Sequence, residues 1–193
     1  MSASVTIKAA IAAHQSVIAQ LDPLTAQIET LSQQMLHCLQ AGGKIVWMGN
    51  GGSAADSQHL AAEMVVRYQT ERPGLASIAL TTDTSILTAA GNDYGFEYVY
   101  ARQVEALCSD KDIVIGISTS GNSPNVLRAI EAAKTLGAYT AGMTAGDGGK
   151  LAQLCDLVLA MPTTVTARAQ EAHILIGHIL CELIDQAYAN PTT

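Results

Sequence analysis

Residues 45–58 read IVWMGNGGSAADSQ, and this stretch decides the fold. The apolar run at residues 45–48 is typical of a buried strand, and the glycines after it allow a tight turn. A helical pattern begins at about Ser53. Because backbone N–H groups at a helix N-terminus favour negative charge, a strand, a glycine turn and a helix in this order predict an anion site.

The helix that this stretch opens carries a pair of side chains suited to proton transfer or metal binding. His59 and Glu63 are four residues apart, so they lie on one helix face and can reach a single ligand. The simpler alternative is a solvent-facing pair, which is the commoner arrangement for an isolated instance. The pair therefore needs support from other parts of the chain.

The composition indicates a single α/β domain with a helical extension that assembles with other copies of itself. The chain has 193 residues, of which 49% are hydrophobic and only 14% charged, so we expect helix faces to be buried between subunits. Its formal net charge of −7 argues against a nucleic-acid partner, because contacts to a nucleic-acid backbone need clustered Lys and Arg.

Cysteine usage and hydropathy predict a cytoplasmic protein. The four cysteines are widely spaced without a C-x-x-C pair, which favours reduced core thiols over a zinc finger or a disulfide framework. The chain shows no cleavable leader pattern and no apolar run of membrane-spanning length. We therefore expect no membrane partner.

Helical and strand patterns alternate along the chain. A helical N-terminal arm, residues 1–43, is broken near Asp22 and Pro23. Residues 44–193 form one structural unit in this interpretation, and residues 190–193 are expected to fray. Strands that alternate with helices predict a parallel sheet covered on both faces. The predicted strands are 44–48, 76–80, 112–118, 138–144 and 156–161, and the predicted last helix is 166–189.

A second loop of the same design follows the third predicted strand. It places the hydroxyls of Ser118, Thr119, Ser120 and Ser123 around Gly121, directly before a predicted helix. One such loop alone is equally well explained as a helix cap. Two loops at the carboxyl ends of parallel strands favour a ligand in the crevice between them.

Two further glycine-rich clusters carry no chemistry by themselves. Residues 91–95 read GNDYG and sit between two helical patterns, and residues 146–149 read GDGG and follow the fourth predicted strand. Both are most simply turns.

The C-terminal helical pattern contains polar residues within an apolar stripe. Histidines embedded there need partners, and we interpret His173 as a satisfied core or interface histidine. Gln170 and His178 are eight residues apart, which is about 12 Å of helix rise. They can share a ligand only by reaching toward each other, if Gln170 precedes the helix, or if they come from different subunits.

Several of these motifs occur together in one known family. From about residue 40 to residue 188 the chain resembles the sugar isomerase (SIS) domain family, and within it the phosphoheptose isomerases. The motifs that carry the resemblance are, in order, GNGGSAADSQHLAAE, RPG at residues 72–74, GNDYGF, GISTSGNSPNV, AGDGGKLA and QEAHILIGH.

The resemblance implies a fold, an assembly and a reaction. The fold is an α/β single SIS domain with a parallel five-stranded sheet flanked by helices, a flavodoxin-like three-layer sandwich. The assembly is a homotetramer with active sites near subunit interfaces. The reaction converts D-sedoheptulose 7-phosphate to D-glycero-D-manno-heptose 7-phosphate by ene-diol proton transfer, the first step of nucleotide-activated heptose biosynthesis.

The resemblance also implies roles for particular residues. Glu63 and His178 match the family's catalytic base and acid. One zinc ion per site would be held by His59, Glu63, Gln170 and His178. Many members carry an aspartate where this chain has Ala167, so whatever that carboxylate does is absent here or supplied differently. The substrate-binding residues would be Asn50, Gly51, Gly52, Ser53, Glu63, Asn92, Asp93, Ser118, Thr119, Ser120, Ser123 and Gln170.

Two other functions are compatible with the same loops. One is a non-catalytic sugar-phosphate sensor or adaptor, like the DnaA initiator-associating relatives of the family. The other is an aminosugar-phosphate isomerase or lyase, which would need a different acid and base. The presence of His59, Glu63, Gln170 and His178 together favours the heptose phosphate isomerase.

Overall fold

A five-stranded parallel sheet organises the chain, with the strand order β2-β1-β3-β4-β5. The structure, a computed structural model, describes residues 2–189. All five predicted strands are confirmed, and their ends agree with the prediction to within one residue. The strands are β1 (Ile45–Gly49), β2 (Ser77–Ala79), β3 (Ile113–Ile117), β4 (Tyr139–Ala145) and β5 (Leu157–Met161).

Helices connect the strands and flank the sheet. The predicted break near Asp22 and Pro23 is confirmed as a 3-10 turn, Asp22–Leu24, between the first two helices. Pro at the first turn suits this position because its missing N–H is not needed there. The helices are α1 (Ala3–Ile18), α2 (Thr25–Gln40), α3 (Gly52–Val65), α4 (Thr84–Asp93), α5 (Ala101–Leu107), α6 (Pro124–Thr135), α7 (Leu151–Leu154) and α8 (Thr166–Ala189).

Each face of the sheet is covered by its own helices, so the predicted three-layer α/β fold is confirmed. Helices α2, α3 and α8 pack on the face that carries Trp47 and Ile115. Helices α5 and α6 pack on the face that carries Val46 and Val114. Strands β1 and β3 are buried over their whole length, which explains why they read as continuous apolar runs.

The N-terminal arm contributes to the same core as the sheet. Leu31 and Met35 of α2 are fully buried in the cluster that also contains Trp47. The division into an arm of residues 1–43 and a unit of residues 44–193 stays a prediction. Residue 1 and the tail predicted to fray, residues 190–193, lie outside the described residues. Within residues 2–189, none of the helices combines the length and the apolar character needed to cross a lipid bilayer.

The two clusters interpreted as turns have different outcomes. Residues 91–93 are not a turn but the last turn of α4, a helix that Asp83 caps by accepting a hydrogen bond from the Ile86 N–H at 2.9 Å. The chain leaves the helix only at Tyr94, before Gly95 with φ +93°. The turn at residues 146–149 is confirmed, and three of its glycines have positive φ.

His173 is buried in the core but only half satisfied. Its Nε2 lies 2.9 Å from the Thr144 carbonyl oxygen, so the neutral ring donates from that nitrogen. Its Nδ1 has no hydrogen-bond partner among the described residues. Burial lowers the pKa of the His173 imidazole, and the hydrogen bond to Thr144 opposes this only in part. The prediction of a core histidine is therefore confirmed, but the ring is neutral and only one of its two nitrogens has a hydrogen-bond partner within the described part of the chain.

The neutral His173 makes stability depend on pH. The unfolded chain takes up a proton at this residue below about pH 6.5, whereas the folded chain resists it. We expect the free energy of unfolding to be highest above about pH 6.5 and to fall as the pH drops below that value. Urea unfolding of the native chain and of His173→Gln at about pH 7.5 and about pH 5.5 measures the effect. The variant should lose less stability over this interval, and equal losses would contradict the assignment.

Candidate functional site

The site lies at the carboxyl ends of β1 and β3, where the strand order reverses. In an open parallel sheet, connections leave such a pair of strands toward opposite faces and open a crevice between them. β1 is followed by the loop at residues 50–53 and β3 by the loop at residues 118–123. Both predicted anion loops therefore border one crevice.

A pair of amides joins the two loops. Asn50 Nδ2 donates to Asn125 Oδ1 at 2.9 Å, and Asn125 Nδ2 donates back to Asn50 Oδ1 at 2.8 Å. Behind them the Tyr100 hydroxyl donates to the Gly49 carbonyl at 2.6 Å. Burial raises the pKa of Tyr100 to about 12, so the donor keeps its proton. Sequence reasoning missed Asn125 and Tyr100; only the position of Asn125 inside the GNSPNV motif could have indicated it.

The second loop gathers hydroxyl groups at the start of α6. Ser118 Oγ and Ser123 Oγ are 2.8 Å apart, and Ser123 directly precedes the helix. Ser118 is buried, Thr119 is half-buried and Ser120 is exposed, so the hydroxyls extend from the sheet edge to the surface. This arrangement can donate several hydrogen bonds to one anion at a helix N-terminus.

The first loop reaches the same crevice through its backbone. Gly51 has φ +56° and is the residue before α3, so its position favours glycine. Gly51 and Gly52 are exposed, while Ser53 is buried in the first turn of the helix. The N–H groups of Ser53 and Ala54 already donate to the carbonyls of Asn50 and Gly51 at 3.0 and 3.1 Å, so the two exposed glycines are the part of this loop that a ligand in the crevice can contact.

Two histidines and a glutamate form a compact cluster beside the loops. His59 Nε2 lies 3.0 Å from Glu63 Oε1 and 3.2 Å from His178 Nε2. One ligand atom from each residue can be chosen so that all lie within 4.8 Å of one another. Ligands at zinc bond lengths in a tetrahedron are about 3.3 Å apart, so the donor types and spacing fit a zinc site. The pair predicted from helix spacing is not a simple solvent-facing pair, because His178 completes it.

Glycine allows α3 and α8 to approach closely enough for this contact. A Cβ at Gly177 would lie 2.5 Å from Leu60 Cδ2, so a larger residue there would require the Leu60 side chain or the helices to shift. Gly177 and Leu60 each neighbour a histidine of the cluster, His178 and His59. The helix contact therefore sets the distance between the two rings.

Gln170 lies farther along the same interface. It is inside α8, which begins at Thr166, so it does not precede the helix. A Cβ at Gly52 would lie 2.5 Å from Gln170 Nε2, which places the amide against the start of α3. Gln170 thus contacts the loop end of α3, and His178 contacts His59 further along that helix.

Asn92 and Asp93, two of the predicted site residues, lie on the surface and make no hydrogen bond to His59, Glu63 or His178 within residues 2–189. Asn92 Nδ2 donates to Asp93 Oδ1 at 2.8 Å at the exposed end of α4. Within residues 2–189, no hydrogen bond links either side chain to the histidines or to the serine loop. Ala167 is exposed at the start of α8.

The structure adds two side chains that sequence reasoning missed. The Tyr68 ring stacks on His178, with ring centroids 5.3 Å apart and planes inclined by 25°. Asp56 lies one helical turn before His59, and burial raises its pKa to about 6 while the charge of His59 lowers it. Asp56 Oδ2 has no hydrogen-bond partner among the described residues. Asp56 resembles any other residue on a helix face, and Tyr68 lies in the irregular segment after α3, so neither has a local spacing signal.

Comparison with known proteins shows which family the chain belongs to. The SIS domain family model matches residues 7–145. Phosphoheptose isomerase 1 of Campylobacter jejuni is 54% identical over 175 residues, covering 91% of this chain and 94% of that protein. The structure of a phosphoheptose isomerase from Neisseria gonorrhoeae, 43% identical, superposes with a TM-score of 0.90 over 96% of this chain and 100% of that one. The structure of one from Francisella tularensis, 37% identical, gives a TM-score of 0.93 with the same coverages.

The serine loop depends on glycine at position 121. Gly121 has φ +64°, and a Cβ there would lie 2.0 Å from the Gly148 carbonyl oxygen. Gly42 has φ +79° with open space around it, so Gly42→Ala is a matched control. We expect Gly42→Ala to lose about 1 kcal/mol from left-handed backbone strain and Gly121→Ala clearly more, because its turn must also move. Urea unfolding measures both, and equal losses would show that the contact with Gly148 is unimportant.

Proposed function

Because the chain belongs to the SIS domain family, and within it to the phosphoheptose isomerases, we propose that it isomerises D-sedoheptulose 7-phosphate to D-glycero-D-manno-heptose 7-phosphate. The observation that carries this proposal is the cluster of His59, Glu63 and His178, two of which lie on α3, the helix that follows the first predicted anion loop. A sugar phosphate needs an anion site and, some distance along the sugar, a proton-transfer site. This reaction makes the first intermediate of nucleotide-activated heptose biosynthesis.

The serine loop is proposed to hold the phosphate. Its support is the hydroxyl pair of Ser118 and Ser123 at the N-terminus of α6, with Thr119, Ser120 and Ser53 nearby in the two loops. A helix N-terminus contributes only about 0.3–1 kcal/mol toward an anion, so the hydroxyl hydrogen bonds must supply much of the affinity. Since these donors are uncharged, phosphate binding does not require the basic surface that the chain lacks.

Glu63 and His178 are proposed to move the protons. Interconversion of a 2-ketose and an aldose transfers one proton between C1 and C2 through an ene-diol and exchanges another on the oxygens. Glu63 would act as the base that carries the carbon-bound proton. His178 would donate a proton to one substrate oxygen and accept a proton from the other. Each contributes roughly 10²- to 10⁴-fold when well placed. Their side chains both meet His59 in the structure, which supports a shared site.

Zinc is proposed as the cofactor, one ion per site. His59, Glu63 and His178 would hold it. Gln170 would be the fourth ligand, and because its amide lies against Gly52 inside this chain, it would have to reach toward His178 or come from a different subunit. When bound, the ion supplies Lewis-acid polarisation of the substrate carbonyl. Glu63 and His178 must still exchange protons, so we expect their coordination to be loose or exchangeable.

The remaining predicted contacts are proposed to complete the sugar site. Asn50, Gly51 and Gly52 border the crevice, and Gln170 lies against Gly52. Asn92 and Asp93 are exposed on α4, where a neighbouring subunit can use them. The non-catalytic sensor or adaptor is not favoured, because the acid, base and metal-type residues are assembled together.

We propose a homotetramer with active sites near subunit interfaces. Helix α1 supports assembly because its only charged residue is Lys8 and it exposes a row of apolar side chains. Val5, Ile7 and Ile11 are 51%, 58% and 54% exposed. Apolar surface of this kind on a helix is typical of a protein interface. The cytoplasm is the proposed location, supported by the free thiols of all four cysteines.

The reaction itself is tested with purified full-length protein and sedoheptulose 7-phosphate, with and without added zinc. We expect the aldoheptose phosphate to form and zinc to increase its rate. Absence of turnover under both conditions would instead favour the sensor or adaptor.

The proton-transfer roles are tested by Glu63→Gln and His178→Gln. Each should abolish isomerisation, a loss of at least about 10²-fold, because the substituted amide cannot exchange protons. Matched controls are Glu71→Gln, whose carboxylate is 91% exposed, and the exposed His37→Gln. Circular dichroism and sedimentation should show fold and assembly unchanged. If either site variant keeps near-native turnover, its assigned role is wrong.

The assembly is tested by Ile7→Glu combined with Ile11→Glu. Two carboxylates in an apolar interface should break the tetramer into smaller species, because buried unpaired charge is strongly unfavourable. Sedimentation velocity measures the mass, and Ser4→Glu on the same helix is the control. A monomeric native chain would contradict the proposal.

A further inference from the structure

A short segment ties the carboxyl end of α3 to the second half of α8. We call residues 67–74 the strap. Arg72 Nη2 donates to the Glu63 carbonyl at 2.8 Å, and Arg72 Nη1 donates to the Met64 carbonyl at 2.8 Å. Arg72 Nε donates to Asp185 Oδ1 of α8 at 2.7 Å. One guanidinium thus caps α3 and binds α8.

Asp185 holds the strap from the other side. Its Oδ2 accepts hydrogen bonds from the N–H groups of Gln69 at 2.8 Å and Thr70 at 2.9 Å. Burial alone would raise the pKa of Asp185, but these hydrogen bonds and the one from Arg72 hold it below its usual value. The side chains of Arg72 and Asp185 are each only 1% exposed. The pair is therefore an ionised, fully hydrogen-bonded contact inside the protein.

The ion pair lies close to the proposed acid and base. The carbonyl that Arg72 caps belongs to Glu63 itself. Asp185 follows His178 by seven residues, two helical turns and about 10 Å along the same face of α8. Gly177 packs on Leu60 at the other end of this stretch. The glycine contact and the ion pair thus hold α3 against α8 at two points.

The strap also carries the ring that stacks on His178. Tyr68 directly precedes Gln69, whose N–H is bound by Asp185. The stacked ring covers one face of the imidazole while Nε2 points toward His59. Removing the anchor of the strap would free Tyr68 as well as the end of α3.

We propose that Arg72, Asp185 and Tyr68 are positioning residues that hold His178 against His59 and Glu63 and so set the affinity of the cluster for a divalent cation. The inference rests on the proposed function, because it assigns a role to residues that support the same site. Buried ion pairs contribute little net stability over well-packed apolar side chains. The geometry that this pair imposes is therefore the effect to measure.

The test uses the full-length chain with both charges replaced, Arg72→Met with Asp185→Leu. Replacing the pair avoids an uncompensated buried charge. The two strap N–H groups bound by Asp185 and the two α3 carbonyls bound by Arg72 lose these hydrogen bonds, so the fold of the variant is measured directly. The control is Lys44→Met with Asp112→Leu, a second ion pair joined at 2.7 Å, in which Asp112 is buried and Lys44 is 31% exposed. It precedes β1 and β3, at the sheet end away from the site. Zn²⁺ binding is measured by titration calorimetry, and folding by circular dichroism.

We expect the strap variant to bind Zn²⁺ about 10- to 100-fold more weakly, as is usual when a supporting partner of metal ligands is lost. The control variant should bind Zn²⁺ with an affinity within about twofold of that of the native chain, because it removes no group that supports the metal ligands. A folded strap variant with native Zn²⁺ affinity would overturn the proposal. If the strap variant keeps native Zn²⁺ affinity and the native protein isomerises the sugar phosphate, the proposed function stands and only the positioning role fails.

Tyr68 provides a second variant that leaves the ion pair intact. Tyr68→Leu should weaken Zn²⁺ binding and lower kcat more than it changes KM, and Tyr68→Phe should rescue both because it keeps the stacked ring. If Tyr68→Leu and Tyr68→Phe have the same Zn²⁺ affinity and the same kcat, the stacking role is overturned. If native protein binds Zn²⁺ but lacks isomerase activity, the proposed function is contradicted, while weaker Zn²⁺ binding by the variants would still support the positioning role. Native protein that binds no Zn²⁺ would overturn the positioning role itself.

Discussion

The close packing of α3 against α8 is the constraint on which the rest of the site depends. Gly177 has no side chain, so Leu60 of α3 occupies the space that a Cβ would need. At the loop end of the same interface, Gly52 leaves room for Gln170. Protein interiors are densely packed, so a larger residue at Gly177 would force the buried Leu60 side chain or the helices to move, whereas at the exposed Gly52 the Gln170 amide would have to move. The contact between His59 and His178 at 3.2 Å lies one residue from the close packing of Gly177 on Leu60.

The sheet supplies the second half of the site by a different physical route. β1 and β3 are adjacent, parallel and wholly buried, so the loops that follow them emerge side by side. The reciprocal amide pair of Asn50 and Asn125 then joins those loops directly. Hydroxyl and backbone donors in the loops suit a phosphate, although the chain carries a net charge of −7. Local preorganised donors, rather than overall charge, make an anion site possible in an acidic protein.

Much of the fold could be predicted because local pattern encodes it. Short runs rich in apolar residues predict strands, and all five were found within one residue of their predicted ends. The wholly buried strands β1 and β3 show this pattern most clearly. The misjudged cluster at residues 91–93 shows the limit of this reasoning. Gly, Asn and Asp favour turns, but the cap at Asp83 and the packing of Ala90 in the core keep these residues helical. Asp56, Tyr68 and Asn125 were missed because their importance comes from neighbours that are distant in the chain.

The sequence by itself determined the order in which strands and helices follow one another along the chain. It also determined where the two predicted anion loops lie in the chain and that His59 and Glu63 share a helix face. These properties follow from periodicity and from the backbone freedom of glycine, which act over a few residues. Only the tertiary structure decided that His178, 119 residues from His59, meets it and that Gln170 lies inside α8 against Gly52. It also decided that Arg72 pairs with Asp185, 113 residues away. Such meetings depend on how closely two helices pack, which is settled by contacts across the core and not by local pattern.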